Sequence, residues 1–345
     1  MKRFTSVVAL LLAVTIVPGC SLKNKQSDHQ PVATPVVTPV ATPEPTEAPV
    51  DPFLETYINT DERPIAVMID NDDQNARPQA GLDEAYLIYE MLVEGGATRF
   101  MALFRNTDVE KIGPVRSSRH YFLDYVMEND AIYTHFGWSP QAGSDITTYQ
   151  IQKINGVLGE DADTFWREEK FKGDWHSVYT SIEKITEKAD VKSYPNTTER
   201  TNGIAYAEAV YTPQSTQIAN EVSFDYSTRY QTSYTFNPET KLYEKYIFGE
   251  PHKMQNGNVL SVQNIIVQLV TDTSWNNDPN RRELQNTGSG VGYYITNGVY
   301  EEITWEKPSR EENTVYKKAD GTPLQINPGK TIINLISPAL GVQFE

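Results

Sequence analysis

Two apolar runs separated by the dipeptide Gly95-Gly96 place the strongest constraint on how this chain can fold. Residues 85–93 and 99–104 are dense in aliphatic and aromatic side chains, which is typical of strands buried on both faces. Two successive glycines readily take the positive φ that a tight hairpin turn requires. Residues 64–70 form a third apolar run of the same kind. The sequence therefore predicts a buried sheet in this region.

Helical patterns are interspersed with these strands. Apolar spacing that suits a helix occurs in residues 116–126 and 145–154. A third helix is predicted over residues 181–189, where Ser181 is the expected cap. Strands mixed with helices indicate a mixed α/β domain, which we place at residues 54–205.

The second half of the chain has a different character. Strand-like runs separated by turn residues follow one another from residue 206 onward, and Asn297-Gly298 is among the strongest short hairpin signals. We therefore predict an α+β fold, in which the N-terminal mixed α/β domain is packed against a C-terminal, mostly antiparallel β domain of residues 206–345. A chain of 345 residues exceeds the usual size of one core, which favours this division.

The first residues have the order of an export signal. A basic start precedes an apolar run too short for a comfortable membrane span, and small residues lead to Cys20, the only cysteine. Residues 1–19 are therefore predicted to be a signal peptide, and the proline- and threonine-rich residues 20–53 a linker, either an extended stalk or a disordered tether without a defined length. The cleavage site resembles a bacterial lipobox, which implies that Cys20 carries lipid such as palmitate and holds the protein on the extracytoplasmic face of the cell membrane. Ordinary secretion with a free thiol is the alternative.

Arginine is concentrated in one part of an acidic chain. Five of the thirteen arginines lie within residues 77–119, although the formal net charge is −16. In the predicted helix, Arg116 and Arg119 are three residues apart and share a face. Guanidinium groups suit phosphate or carboxylate. The clustering therefore predicts an arginine-lined cleft that binds an anion.

Polar residues at the predicted ends of elements are further candidates for this cleft. Ser117 and Ser118 would occupy the first helical turn, where free backbone N–H groups favour an anion. His135 at a strand end and His176 in a loop could each serve as a donor or general base. The predicted anion-binding residues are Arg77, Arg99, Arg105, Arg116, Ser117, Ser118, Arg119, His135 and His176.

Internal ion pairing is the alternative role for the arginines. Acidic side chains are abundant near them in the sequence, namely Asp83, Glu84, Glu90, Glu94 and Asp124. The sequence leaves both roles open.

A short acidic stretch follows the first apolar run. Asp70 and Asp72 could hold a divalent cation beside a phosphate, because hard cations take oxygen ligands. A solvated turn is the alternative. We expect no cofactor, and Mg²⁺ only if the protein is an enzyme.

Several functional classes lack support in the sequence. The acidic balance and a pI near 4.8 argue against binding to nucleic acid. No GxxxxGK[ST] motif is present, and no GxGxxG follows a strand, so nucleotide binding is not indicated. There is no GxSxG elbow, and the histidines lack the spacing of a zinc-binding helix.

Four longer stretches resemble the YerB-like lipoproteins, a bacterial family whose domain has no assigned function. They are RPIAVMIDN (63–71), ARPQAGL (76–82), YEMLVEGGATRF (89–100) and IGPVRSSR (112–119). Shorter fragments such as HFGWS (135–139), WHSVYT (175–180), ITWEK (303–307) and INPGKT (326–331) extend the resemblance to the C-terminus. The resemblance implies a two-part extracellular domain on a lipid anchor, and it supplies no activity, substrate or catalytic residue.

Three functions fit these observations. The first is a non-catalytic envelope lipoprotein that binds an anionic cell-wall polymer or a protein partner. The second is an envelope enzyme acting on a phosphate-bearing glycopolymer or lipid-linked substrate, since the general layout resembles that of the LytR-CpsA-Psr transferases. The third is a solute-binding lipoprotein, although such proteins usually have two similar α/β lobes.

Overall fold

A mixed ten-stranded sheet, with strands from both halves of the sequence, organises the fold. The computed structural model describes residues 50–200, 203–275, 278 and 281–345. The predicted signal peptide, the lipidation site Cys20 and the predicted linker up to residue 49 lie outside the described residues.

The strands and helices of the described residues have the following bounds. The strands are β1 Ile65–Asn71, β2 Leu87–Leu92, β3 Thr98–Phe104, β4 Ile132–His135, β5 Lys153–Asn155, β6 Trp166–Arg167, β7 Val178–Tyr179, β8 Glu221–Ser227, β9 Tyr230–Asn237, β10 Leu242–Ile247, β11 Glu250–Pro251, β12 Ser261–Val262, β13 Asn264–Leu269, β14 Asp272–Ser274, β15 Arg282–Leu284, β16 Gly288–Thr296, β17 Val299–Lys307, β18 Val315–Lys318, β19 Thr331–Ile336 and β20 Gln343–Phe344. The α-helices are α1 Leu123–Glu128, α2 Pro140–Thr148 and α3 Ile182–Val191. Single turns of π-helix at Leu54–Ile58 and of 3₁₀-helix at Leu82–Glu84, Glu94–Gly96 and His120–Phe122, and a longer 3₁₀ segment at Gly159–Thr164, complete the helical elements.

The large sheet has the order β18-β17-β16-β13-β19-β2-β3-β1-β4-β5. Strand β19 is parallel to β13 on one side and to β2 on the other. The predicted α+β class is confirmed, with a mixed N-terminal part and a mostly antiparallel C-terminal part. The two parts share one sheet, since the C-terminal strand β19 pairs directly with the N-terminal strand β2.

A smaller sheet, β11-β10-β9-β8-β20 with β12 also on β10, covers one face of the large sheet. Helices α1 and α2 cover the other face. Every residue of β1 and β3 is buried, whereas β8 alternates between buried and more exposed positions. This difference explains the sequence patterns, because a strand covered on both faces is continuously apolar and a strand of an outer sheet alternates.

The helix predicted from residue 116 begins later than expected. Residues 116–119 are extended, with φ −124° and ψ 150° at Arg119, and the first helical turn starts at His120. The backbone N–H of Arg116 donates to Met68 O, and that of Ser118 donates to Gly137 O. These contacts hold the segment between β1 and the loop after β4. The prediction that Arg116 and Arg119 share a helical face is therefore wrong.

The other two helix predictions had different outcomes. Helix α3 is confirmed, and Ser181 caps it by accepting from the N–H of Lys184. The helix predicted over residues 145–154 is displaced, because α2 begins at Pro140 with Ser139 as its cap. A serine followed by proline is a helix-start signal that would have corrected the prediction. Among the described residues, no helix has both the length and the apolar character needed to cross a membrane.

Candidate functional site

Three of the five predicted arginines meet where β1 ends. Asp70 of β1 lies directly opposite Arg99 of β3. The Nε atom of Arg116 is 2.8 Å from Asp70 Oδ2. Arg119 donates to both carboxylate oxygens of Glu94, from Nε to Oε1 at 2.5 Å and from Nη2 to Oε2 at 2.8 Å. We call these three arginines, with Asp70 and Glu94, the arginine cluster.

Arg99 is the buried member of the arginine cluster. Its side chain is 5% exposed, and Nη1 donates to the carbonyl of Ser117 at 2.8 Å. Burial lowers the pKa of Arg99 to about 10, and the positive charges of Arg119 and Arg116 act in the same direction, whereas Asp70 and Glu94 oppose them. The cluster thus holds three guanidinium groups and two carboxylates, which leaves one positive charge in excess.

Asp70 is also bound to His176. The carboxylate is fully buried, and His176 Nδ1 is 2.7 Å from the same Oδ2 atom that faces Arg116. Burial alone would raise the pKa of Asp70, but the hydrogen bond from His176 and the charges of Arg116 and Arg99 outweigh it, so the pKa is lowered. Burial likewise acts to lower the pKa of His176, but the hydrogen bond and charge of Asp70 outweigh it, so that pKa is raised.

An exposed tryptophan forms the surface of the arginine cluster. The indole of Trp175 is 66% exposed, and its Nε1 donates to His176 Nε2 at 2.7 Å. The guanidinium carbon of Arg116 lies 6.0 Å from the centre of the Trp175 ring, within the range of a cation–π contact. Trp175 directly precedes His176 in the sequence, and that adjacency was the one available signal of its position.

The serine and histidine candidates lie beside the cluster with their donors already used. Ser117 Oγ donates to Phe136 O at 3.0 Å, and the N–H of Ser118 donates to Gly137 O at 2.9 Å. No helix begins at these serines, so the predicted N-terminal donors are absent there. His135 Nδ1 is 2.8 Å from Gly137 O, and burial lowers the pKa of His135 to about 4.

Arg105 and Arg77 lie elsewhere. Arg105 extends from the opposite end of β3, about 20 Å along the strand from Arg99, and Nη1 donates to Tyr57 O at 2.8 Å. Arg77 Nη1 donates to Asn71 Oδ1 at 3.0 Å. Consecutive residues of a strand point to opposite faces, so Asn71 and Arg77 lie across the sheet from the side chain of Asp70. The expectation that all five arginines line one cleft is therefore wrong.

Acidic side chains that lie near the arginines in the sequence form ion pairs both inside and outside the arginine cluster. Glu94 binds Arg119, as the ion-pair alternative expected, whereas Glu90 pairs with Lys245 and Asp124 with Arg310. Asp70, considered above as a metal ligand, pairs with Arg116.

The geometry gives no support to the metal alternative at Asp70 and Asp72. Asp70 Oδ2 is occupied by Arg116 Nε and His176 Nδ1, and Asp70 Oδ1 accepts from the N–H of Asp72 at 3.2 Å. Within the part of the chain that the structure describes, no group of three or more His, Cys, Asp or Glu side chains is arranged to hold a metal ion.

Comparisons with known proteins identify relatives over most of the chain. The profile described as "Protein of unknown function (DUF3048) N-terminal domain" matches residues 55–195, and the corresponding C-terminal domain matches residues 222–333. The protein YerB of Bacillus subtilis (strain 168), named as a candidate lipoprotein, is 32% identical over 284 residues, which are 80% of this chain and 82% of YerB. A crystal structure of YerB from Bacillus subtilis aligns with a TM-score of 0.73 at 29% identity, covering 86% of this chain and all of that one.

Proposed function

Since the chain belongs to the DUF3048 family of YerB-like lipoproteins, we propose that it is a lipid-anchored envelope protein that binds an anionic ligand at the arginine cluster. The anchor is Cys20, exposed after removal of the signal peptide of residues 1–19. The linker of residues 20–53 then holds the folded part away from the outer face of the cell membrane. The ligand is an anionic cell-wall polymer or an acidic surface of an envelope partner.

The observation that carries this proposal is the unequal charge of the arginine cluster. Three guanidinium groups share two carboxylates, in a chain whose formal net charge is −16. The side chains of Arg116 and Arg119 remain 22% and 15% exposed. A charge excess beside an exposed tryptophan favours an anion that approaches from solvent, because charge-assisted hydrogen bonds to arginine are strong.

Binding is favoured over catalysis by the state of the acid and the histidine. The enzyme alternative needs Asp70 as a base or a Mg²⁺ ligand, but its lowered pKa makes it a weak base and Oδ2 already has two partners. His176 Nε2 accepts from the Trp175 indole, so it is not free to take a proton from a substrate. Neither residue is therefore poised for proton transfer.

The test uses residues 50–345, which fall within one compact unit, and pyrophosphate as the probe. Saturating pyrophosphate should raise the melting temperature by a few degrees, as expected for a ligand that binds only the folded state. The Arg116→Gln variant should bind about 10-fold more weakly by calorimetry, because one charge-assisted contact is lost.

Arg63→Gln is the matched control. Arg63 forms a partly buried ion pair with Asp130 at 2.9 Å and is not part of the arginine cluster. This variant should lose stability and keep its pyrophosphate affinity. Equal loss of affinity in both variants, or no effect of pyrophosphate on the parent protein, would refute the proposed site. Release of orthophosphate during the assay would instead favour the enzyme alternative.

A further inference from the structure

A cavity of about 560 Å³ lies between the Arg77-Pro78 segment and the turn that joins β10 to β11. This volume is within the range of small-molecule sites. Most of the lining is apolar and includes Pro78, Ile247 and Met254. The polar side chains Arg77 and His252 also line it. Glu250 and Lys253 line the cavity as exposed residues and carry opposite charges.

Arg77 brings a positive charge that no carboxylate neutralises. Its side-chain hydrogen bonds both leave from Nη1 and reach the carbonyl and the side-chain oxygen of Asn71. Among the described residues, no Asp or Glu oxygen lies within ion-pair distance of Arg77. An anion in the cavity would supply the missing partner.

His252 lines the same cavity and has an unused acceptor. Gln79 Nε2 donates to the carbonyl of Asp70 and to Asn71 Oδ1, so its amide oxygen must be the atom that faces His252 Nε2 at 2.9 Å. Nε2 therefore carries the proton of the ring, and Nδ1 is a lone-pair acceptor. His252 is 2% exposed, and its Nδ1 has no hydrogen-bond partner among the described residues. Burial, with the charges of Lys245 and Arg77, holds the pKa of His252 well below its ordinary value, so the ring stays neutral.

Phe248 occupies an unfavourable backbone conformation at the cavity. It forms a two-residue turn with Gly249, at φ 52° and 77° respectively. Asparagine is the favoured first residue in such a turn, and a bulky side chain at positive φ is an outlier. The ring is nevertheless 53% exposed and contacts Tyr230 edge-on at 6.0 Å. Strain of this kind tends to be retained where it serves a function, and here it keeps an aromatic ring beside the cavity.

We propose that this cavity is a second ligand site, which binds a phosphate monoester carried on an apolar chain. One phosphate oxygen accepts from Arg77, and the P–OH group of the monoanion donates to His252 Nδ1. The chain lies against Ile247, Phe248 and Met254. A phosphate monoanion meets both polar requirements with a single group, because it is at once an acceptor and a donor. The site is independent of the arginine cluster.

Calorimetry with octyl phosphate, below the concentration at which it forms micelles, tests this assignment on residues 50–345. Inorganic phosphate has the same head group without the chain, and octyl sulfate has the chain and charge without the acidic proton. Octyl phosphate should bind at least about 10-fold more tightly than either, as expected from the loss of one charge-assisted contact or of the apolar contacts. Equal affinity for octyl sulfate, or for inorganic phosphate, would overturn the assignment.

Two variants locate the ligand. Arg77→Gln should weaken octyl phosphate about 10-fold. Phe248→Asn should weaken it several-fold while the melting temperature stays constant or rises, because asparagine accepts positive φ more readily. Arg229→Gln is the matched control, since Arg229 is exposed, donates to Gly95 O at 2.7 Å and does not line the cavity.

The outcomes separate the two sites. Octyl phosphate affinity that both variants leave unchanged, or no binding at all, would overturn the second site. If Arg116→Gln abolished octyl phosphate binding and Arg77→Gln did not, the head group would belong to the arginine cluster. That result would refute the second site and leave the proposed function standing.

Discussion

At the residue scale, a single carboxylate oxygen of Asp70, Oδ2, contacts two side chains at the arginine cluster. Arg116 Nε and His176 Nδ1 lie 2.8 and 2.7 Å from that atom. A buried carboxylate is tolerated only when its charge is matched and its oxygens are hydrogen-bonded, and here the Arg116 guanidinium supplies the charge and His176 Nδ1 the hydrogen bond. Asp70, Arg116 and His176 therefore stabilise the fold and also form part of the proposed anion site.

The Trp175 indole should report the titration of His176. Trp175 donates to His176 Nε2, and this bond requires an unprotonated Nε2. As pH falls through the raised pKa of His176, Nε2 gains a proton and the indole must move. Tryptophan fluorescence should therefore titrate with a midpoint above the ordinary histidine value of about 6.5. The signal should be lost in Trp175→Phe and should not titrate in His176→Gln; a titration that persists in His176→Gln would contradict this assignment.

The same pKa shift predicts how stability depends on pH. A folded-state pKa above the ordinary value of about 6.5 means that the folded protein holds the proton more tightly. The contribution of His176 is then fully present below about pH 6.5 and is lost as pH rises through the folded pKa. Free energies of unfolding in urea, compared between the parent and His176→Gln, measure this contribution. A difference that does not change with pH would contradict the predicted linkage.

At the element scale, a buried ion pair joins the two sheets. Lys245 Nζ of β10 lies 2.9 Å from Glu90 Oε2 of β2, and both side chains are at most 1% exposed. Burial lowers the pKa of Lys245, and the charge of Glu90 opposes that effect. The strand-like runs after residue 206 include β10, but no local signal in the sequence indicated that a lysine of this strand would face the core.

Breaking this pair on one side should be costly. Lys245→Met leaves the buried Glu90 carboxylate without its positive charge partner and should lower the free energy of unfolding by about 3–5 kcal/mol. The double variant Lys245→Met with Glu90→Met should recover most of that loss, because an apolar pair needs no charge partner. Urea unfolding measures both.

Lys317→Met is the control for this experiment, since the pair of Lys317 with Glu306 is exposed and should contribute little. A double variant less stable than either single variant would show that the buried pair itself stabilises the packing of the two sheets.

At the scale of the whole molecule, the central position of β19 ties the two halves together. This C-terminal strand is fully buried and lies between β2 and β13. Without residues 206–345, β2 would become an apolar edge strand with unpaired backbone groups, which is a site of aggregation.

Residues 50–205 produced alone should therefore fail to fold. We expect no cooperative unfolding transition by circular dichroism and self-association by size-exclusion chromatography. Refolding this fragment together with residues 206–345 should restore the native transition, which serves as the control. A monomeric, cooperatively folded N-terminal fragment would show that the domain boundary predicted from the sequence is also a boundary of folding.

The sequence alone determined the local features of this protein. Gly95-Gly96 and Asn297-Gly298 adopt the positive φ values predicted for hairpin turns, because φ preferences depend on the residue itself. The apolar runs became β1, β2 and β3 within two residues of their predicted bounds. The longer motifs also sufficed to identify the lipoprotein family.

Only the tertiary structure decided which charged side chains contact one another and which of them line the cavity beside His252. Asp70 and His176 are 106 residues apart in sequence and yet form a hydrogen bond. Strand register places Arg99 opposite Asp70, and strand alternation places Asn71, with its partner Arg77, across the sheet, where Arg77 lines the cavity beside His252. Composition and spacing carry no information on register or strand order, because these depend on how distant segments pack. For that reason the clustered arginines and one candidate partner, Glu94, were visible in the sequence, whereas the pairing of Arg116 with Asp70 was not.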